Sequence, residues 1–135
     1  MSVVDLDKVD GMGLMKDGKH LLMMIGDHLD WEDEEIHLEI LQDKINAYVA
    51  YIESGEWKSR YPDDLQGVII TINFLYEIPE NCEKFLQTVQ DQLGQYCIRI
   101  EAVVQDEDFR REFLENQKRK EASKRKFRFP FFRKK

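Results

Sequence analysis

Five consecutive apolar residues, Leu21-Leu22-Met23-Met24-Ile25, stand directly before Gly26-Asp27. Successive side chains of a strand point to opposite faces, so a strand covered on one side alternates apolar with polar. A run apolar at both parities predicts a strand inside a sheet with something covering each side. It is preceded by Asp17-Gly18, the dipeptide suited to a two-residue type I′ turn because both central residues need positive φ. Residues 9–16 and 19–27 are therefore expected to form a hairpin.

After Leu29 the period changes. Leu38, Leu41, Ile45, Tyr48 and Ile52 recur at three- and four-residue spacing, with Ile36, Ile40 and Val49 broadening the stripe, and this predicts a helix over residues 31–53. Asp30 is the expected N-cap, Glu32 to Glu35 place negative charge on the positive end of the helix dipole, and Ser54-Gly55 closes the element. Residues 56–66, with Pro62 and two aspartates, are expected to be a loop. Alternation over residues 68–76 predicts a strand, Pro79-Glu80-Asn81 starts a second helix that Gly94 stops, and residues 98–104 alternate as a last strand. A charged helix is expected over about residues 106–120, followed by the tail KRKFRFPFFRKK.

The order ββαβαβ, with each strand-helix-strand unit crossing over right-handedly, puts two helices on one face of a four-stranded mixed sheet. The expected class is α+β, a two-layer sandwich. Residues 1–105 are read as a single α+β domain and residues 106–135 as a charged C-terminal helix with a basic, aromatic tail. The uncovered sheet face would carry Leu22, Met24, Ile69, Leu75 and Val103. A monomer rarely leaves such a patch bare, so a protein partner, a second copy or the C-terminal segment is expected over it.

Composition bears on what such a fold can do. At 135 residues the chain fits one core, and 42% hydrophobic with 35% charged residues is unlike a disordered sequence. No run approaches the roughly 18 apolar residues of a membrane span, and the first sixteen residues lack a secretory pattern, so the expected compartment is the cytoplasm. Cys82 and Cys97 are too few for a disulfide framework and are read as reduced, packed thiols. Residues 118–135 hold ten Lys or Arg against Glu121, a net +9, which leaves −16 on the rest of a chain whose total is −7. An acidic body with a basic tail is the asymmetry of an interaction tail.

The densest chemistry is GDHLDWEDEEIH, residues 26–37, with six carboxylates, two imidazoles and an indole. Glu34-x-x-His37 has the spacing that puts a carboxylate and an imidazole on one helix face, as in di-iron bundles, but the second copy such a site needs is absent. A mononuclear metal site using Asp27, His28, Asp30 or His37 is geometrically conceivable. Helix capping accounts for the same carboxylates without a metal, so no metal and no cofactor are expected. Ser2, Ser54, Ser59 and Ser123 lie in no G-x-S-x-G elbow, and Gly11-Met12-Gly13 precedes a hairpin turn rather than joining a strand to a helix. No catalytic residue is assigned and no small-molecule substrate is evident. Asp27, His28, Asp30, Trp31 and His37 remain as candidate binding residues. Trp31 is read either as a lid over the first helical turn or as an exposed anchor, and Trp57 and Tyr61 share that ambiguity.

In the tail, Arg125, Lys126, Arg128 and Arg133 interleave with Phe127, Phe129, Phe131 and Phe132. Such a segment suits an anionic membrane surface, a nucleic acid, or the protein's own sheet face. A body at −16 opposes the first two.

Asp27-His28-Leu29-Asp30-Trp31, the helix ending Ile52-Glu53-Ser54-Gly55-Glu56, and the later Lys84-Phe85-Leu86 resemble a family of small bacterial proteins known only as a domain of unknown function. The resemblance covers about residues 8–105 and omits the tail. It implies the same fold and a bacterial cytoplasmic setting, and lends no catalytic residue. The expected function is a non-enzymatic protein-binding module, self-associating or akin to an immunity or antitoxin protein, for which an acidic surface suits a basic partner. The alternatives are a metal-dependent hydrolase at the Asp/His cluster and a tail-mediated membrane or nucleic-acid binder.

Overall fold

The computed structural model describes residue 3 and residues 9–132, with side chains as far as residue 122. Its first compact unit is Met1–Val104, and Gln105–Lys135 forms the second. In the first, β1 (Gly11–Leu14), β2 (His20–Asp27), β3 (Gly67–Phe74) and β4 (Ile98–Val104) make one four-stranded sheet in the order β1-β2-β3-β4. β1 is antiparallel to β2, while β2, β3 and β4 run parallel. The expected α+β order and mixed sheet are both present.

The hairpin turn is fixed by its own side chains. Gly18 takes φ 68°, while Asp17 accepts the Lys19 amide at 2.8 Å and pairs with His20 at 2.8 Å. The Lys19 amide, then the His20 ring, hold the Asp17 carboxyl below its ordinary value. The first arm is shorter than expected: β1 has four residues.

α1 (Glu34–Ser54) crosses from β2 to β3 and α2 (Glu80–Leu93) from β3 to β4. Both steps advance the same way across the sheet, so crossovers of one hand put both helices on one face. The core lies there: Leu21, Met23 and Ile25 of β2 and Ile70, Ile72 and Phe74 of β3 meet Leu41, Ile45 and Tyr48 of α1 and Cys82 and Leu86 of α2. These are every second strand residue and every third or fourth helical one, the two periods read from the sequence. On the opposite face the expected patch is only partly open. Met24 and Val103 are 37% and 42% exposed, whereas Ile69 and Leu75 are buried.

Helix ends depart from expectation in instructive ways. α1 starts at Glu34 with Asp33 as its N-cap, accepting the Ile36 amide; Asp30 is not the cap, and its carboxylate accepts the Glu32 amide at 3.1 Å in a turn that precedes the helix. Gly55 does close α1, at φ 71° with its N–H on the Ile52 carbonyl. Residues 56–66 are not all loop, since Glu56–Arg60 forms a 3-10 turn that buries Trp57, whose indole donates to the Ile52 carbonyl. Gly94 does end α2 as its C-cap, in a right-handed conformation, and the chain continues through a short 3-10 turn, Gly94–Tyr96, before reversing at Cys97, φ 61°. Cys97 is consequently exposed rather than packed, while Cys82 is buried.

In the second unit α3 (Glu107–Phe132) is one helix of 26 residues, longer than expected. No Gly or Pro occurs before Pro130, and Glu, Lys, Arg, Gln and Ala are good helix formers. No helix among the described residues is long and apolar enough to cross a membrane.

Candidate functional site at the strand-to-helix junction

Asp27 ends β2 with its side chain on the helix face, and His37 lies in the first turn of α1 on the buried stripe. The structure joins them: Asp27 Oδ2 and His37 Nε2 are 2.6 Å apart, and each residue is 2% exposed. The second ring nitrogen, Nδ1, is 2.8 Å from the Asp30 carbonyl oxygen, which can only accept, so Nδ1 carries a hydrogen and donates. One further proton is then shared between Oδ2 and Nε2. Asp27 Oδ1 accepts the Leu29 amide at 3.1 Å, and the Asp27 carbonyl accepts from Leu75 at 2.9 Å. Every polar atom of the His37 ring is therefore engaged from within.

Trp31 closes this pair from above. Its ring stacks on His37 with centroids 3.6 Å apart and planes 16° off parallel, and it meets Phe74 at 6.1 Å. The lid reading is the one the geometry matches. Its Nε1 is buried and has no acceptor among the described residues. Asp27, Asp30 and Asp33, three residues apart, each accept an amide two or three residues ahead. Polar competition of this kind explains why the helix begins only at Glu34.

A second polar cluster, which the sequence reading missed, continues along the same stripe of α1. Lys44 is fully buried and pairs with Asp10 at 3.1 Å. Tyr48 donates to the Met24 carbonyl and accepts the Asp10 amide, and Asp10 also accepts the Gly26 amide at 2.9 Å. Burial above all pushes the Tyr48 hydroxyl up, with the Asp10 backbone bond opposing and the Asp10 charge adding. The available signal was Lys44 itself, a cation at stripe spacing from His37, Leu41 and Tyr48.

The candidate residues thus separate. Asp27, His37 and Trp31 come together and face inward; Asp30 is exposed and His28 half-buried. Against the junction is a hollow of about 360 Å³ lined by His28, Leu29, Asp30, Glu32, Asp33, Ile36 and Ile40, with His37 at its wall. Ile36 is 54% exposed, an apolar side chain lining the same hollow as the Asp30, Glu32 and Asp33 carboxylates. Among the described residues no group of three His, Cys, Asp or Glu is arranged to hold a metal ion. The side chains of Arg125, Lys126, Phe127, Arg128, Phe129, Phe131, Phe132 and Arg133 lie outside the described ones.

A mixed four-stranded sheet with crossover helices on one face, joined by a strand-to-helix junction locked from inside, defines a small two-layer α+β sandwich. The chain belongs to a family of unknown function, DUF6572, whose family model matches residues 1–106. The resemblance to an uncharacterised family read from the sequence is borne out, and that family carries no activity to this chain. No curated protein and no solved structure matches it.

Proposed function

We propose that the protein is a non-enzymatic binding module whose recognition surface is the acidic hollow at the start of α1. The supporting observation is Ile36, 54% exposed, which lines one hollow together with Ile40, Asp30, Glu32 and Asp33. Exposed apolar surface next to charged groups is the anatomy of a protein interface. Its occupant is a basic protein segment carrying an apolar side chain, steered by the acidic body as an immunity or antitoxin-like protein would steer a basic toxin. The dyad beneath gives little support to a hydrolase, because neither His37 nitrogen is left for a substrate or a metal.

Affinity capture from the source cells, with wild type and an Ile36→Asp, Glu32→Lys variant as paired baits, tests this. A basic protein held by wild type, released by salt and lost from the variant is the expected result. Equal capture by both baits, or by neither, overturns the reading.

A further inference from the structure

β4 is the last strand of the sheet, and its outer edge is treated unusually. The Val68 amide donates to the Cys97 carbonyl at 2.9 Å, so by strand alternation Ile98, Ile100 and Ala102 turn their N–H and C=O groups away from β3. On that outer side Gln90 of α2 behaves as a surrogate strand. Its Oε1 accepts the Ile100 amide at 2.8 Å and its Nε2 donates to the Ile98 carbonyl at 3.2 Å. A carboxamide offers the same donor and acceptor as one peptide unit, and here it fills the place of one. Beside it runs a groove of about 240 Å³ lined by Ile78, Leu86, Ile100 and Ala102 with polar residues of α2.

We infer that this edge pairs with a second copy of the chain, β4 against β4 antiparallel about Ile100, with Gln90 holding the edge until the copy arrives. Outward-facing residues must oppose outward-facing residues, which places Ile100 opposite its counterpart and Ile98 opposite the counterpart of Ala102. Between them Arg99 of each copy lies opposite Glu101 of the other, in the closely spaced non-hydrogen-bonded pairs where side chains interact most. Both side chains are exposed, 61% and 45%, and already pair within the strand at 2.9 Å. A slip of register to the next allowed pairing puts Arg99 opposite Arg99 or Glu101 opposite Glu101, which is unfavourable in either direction. Charge thus selects one register, and the facing aliphatic side chains meet over the groove.

Sedimentation equilibrium of the full chain tests this. Wild type is expected at the mass of two chains, and Ala102→Pro, which removes an outward N–H without touching the β3–β4 ladder, at the mass of one. Glu101→Arg and Arg99→Glu are each expected to be monomeric alone, and their equimolar mixture to recover the dimer, because the mixed pair restores both Arg–Glu contacts. A monomeric wild type, a dimer that survives Ala102→Pro, or a mixture that stays monomeric overturns the inference. Loss of the dimer on Met24→Lys with retention in Ala102→Pro would overturn it in favour of the open sheet face.

Discussion

At the residue scale, Asp27 is the group on which the junction turns. It holds the His37 ring with one carboxylate oxygen and the Leu29 amide with the other, so truncation leaves a buried imidazole nitrogen unpaired. Asp27→Ala should cost about 1–3 kcal/mol or somewhat more, the penalty of an orphaned buried polar group, measured by urea unfolding. Trp31→Phe should be close to neutral, because an aromatic ring still covers His37 and the indole N–H it deletes has no acceptor among the described residues. The two thiols should differ as sharply. Burial, then the charges of Asp27, Glu83 and Glu34, push the Cys82 thiol up to about 12 from 9.0, so a thiol reagent at neutral pH should titrate Cys97 at once and Cys82 only on unfolding. A raised thiol also has a stability consequence. The unfolded chain releases that proton from about pH 9 and the folded chain does not, so the contribution is complete below pH 9 and is lost between 9.0 and about 12. Tyr48 acts in the same direction from 10.0 upward. Chemical denaturation across that range should show falling stability, with a shallower slope in Cys82→Ala.

At the scale of elements, the two glycines that matter act differently. Gly55 sits at φ 71° with only the flexible Lys58 side chain near a would-be Cβ, so Gly55→Ala should cost about 1 kcal/mol of conformational strain. Gly67→Ala should cost more, since its Cβ would lie 2.7 Å from the Cys97 carbonyl oxygen, backbone that fixes the β3–β4 register. Thermal unfolding orders the pair. Which elements exist was legible in the sequence, because apolar period decides strand against helix and the buried faces follow from it. The boundaries were not. Asp30 and Asp33 are equally good caps by composition, and the choice is made by the His37 ring taking the Asp30 carbonyl, a contact made only once α1 lies against β2. The candidate site was legible as a cluster but not in its pairing: Asp27 shares the parity of Leu21, Met23 and Ile25, and His37 stands one turn before Leu41, yet polar side chains at those places read as capping groups until the two elements are seen to meet. Lys44 was hidden by the same rule that found the helix, since a cation on an apolar stripe reads as an exception until Asp10 is seen opposite it.

At the scale of the whole molecule, the inward lock and the outward charge are two results of one stretch of sequence. Residues 26–37 supply carboxylates beyond what folding uses; Asp27, Asp30 and Asp33 are engaged by amides and by His37, Glu34 accepts from Asn81, and Glu32 and Glu35 are exposed. The body at −16 and the segment at +9 make association with charged partners dependent on ionic strength, as exposed charges are screened within about 10 Å at 0.1 M salt. If the junction is a structural lock, its groups are unavailable to a metal or a substrate, and recognition falls to Ile36 and the carboxylates lining the same hollow. Nitrogen-15 resonances of the histidine rings in the full chain, followed while Zn²⁺ is added, decide this most directly. The His37 nitrogens should hold a protonated Nδ1 and stay unmoved while Zn²⁺ passes stoichiometry. A saturable displacement of the His37 Nδ1 or Nε2 signal at one equivalent of Zn²⁺ would contradict the lock and restore the metal centre in its place.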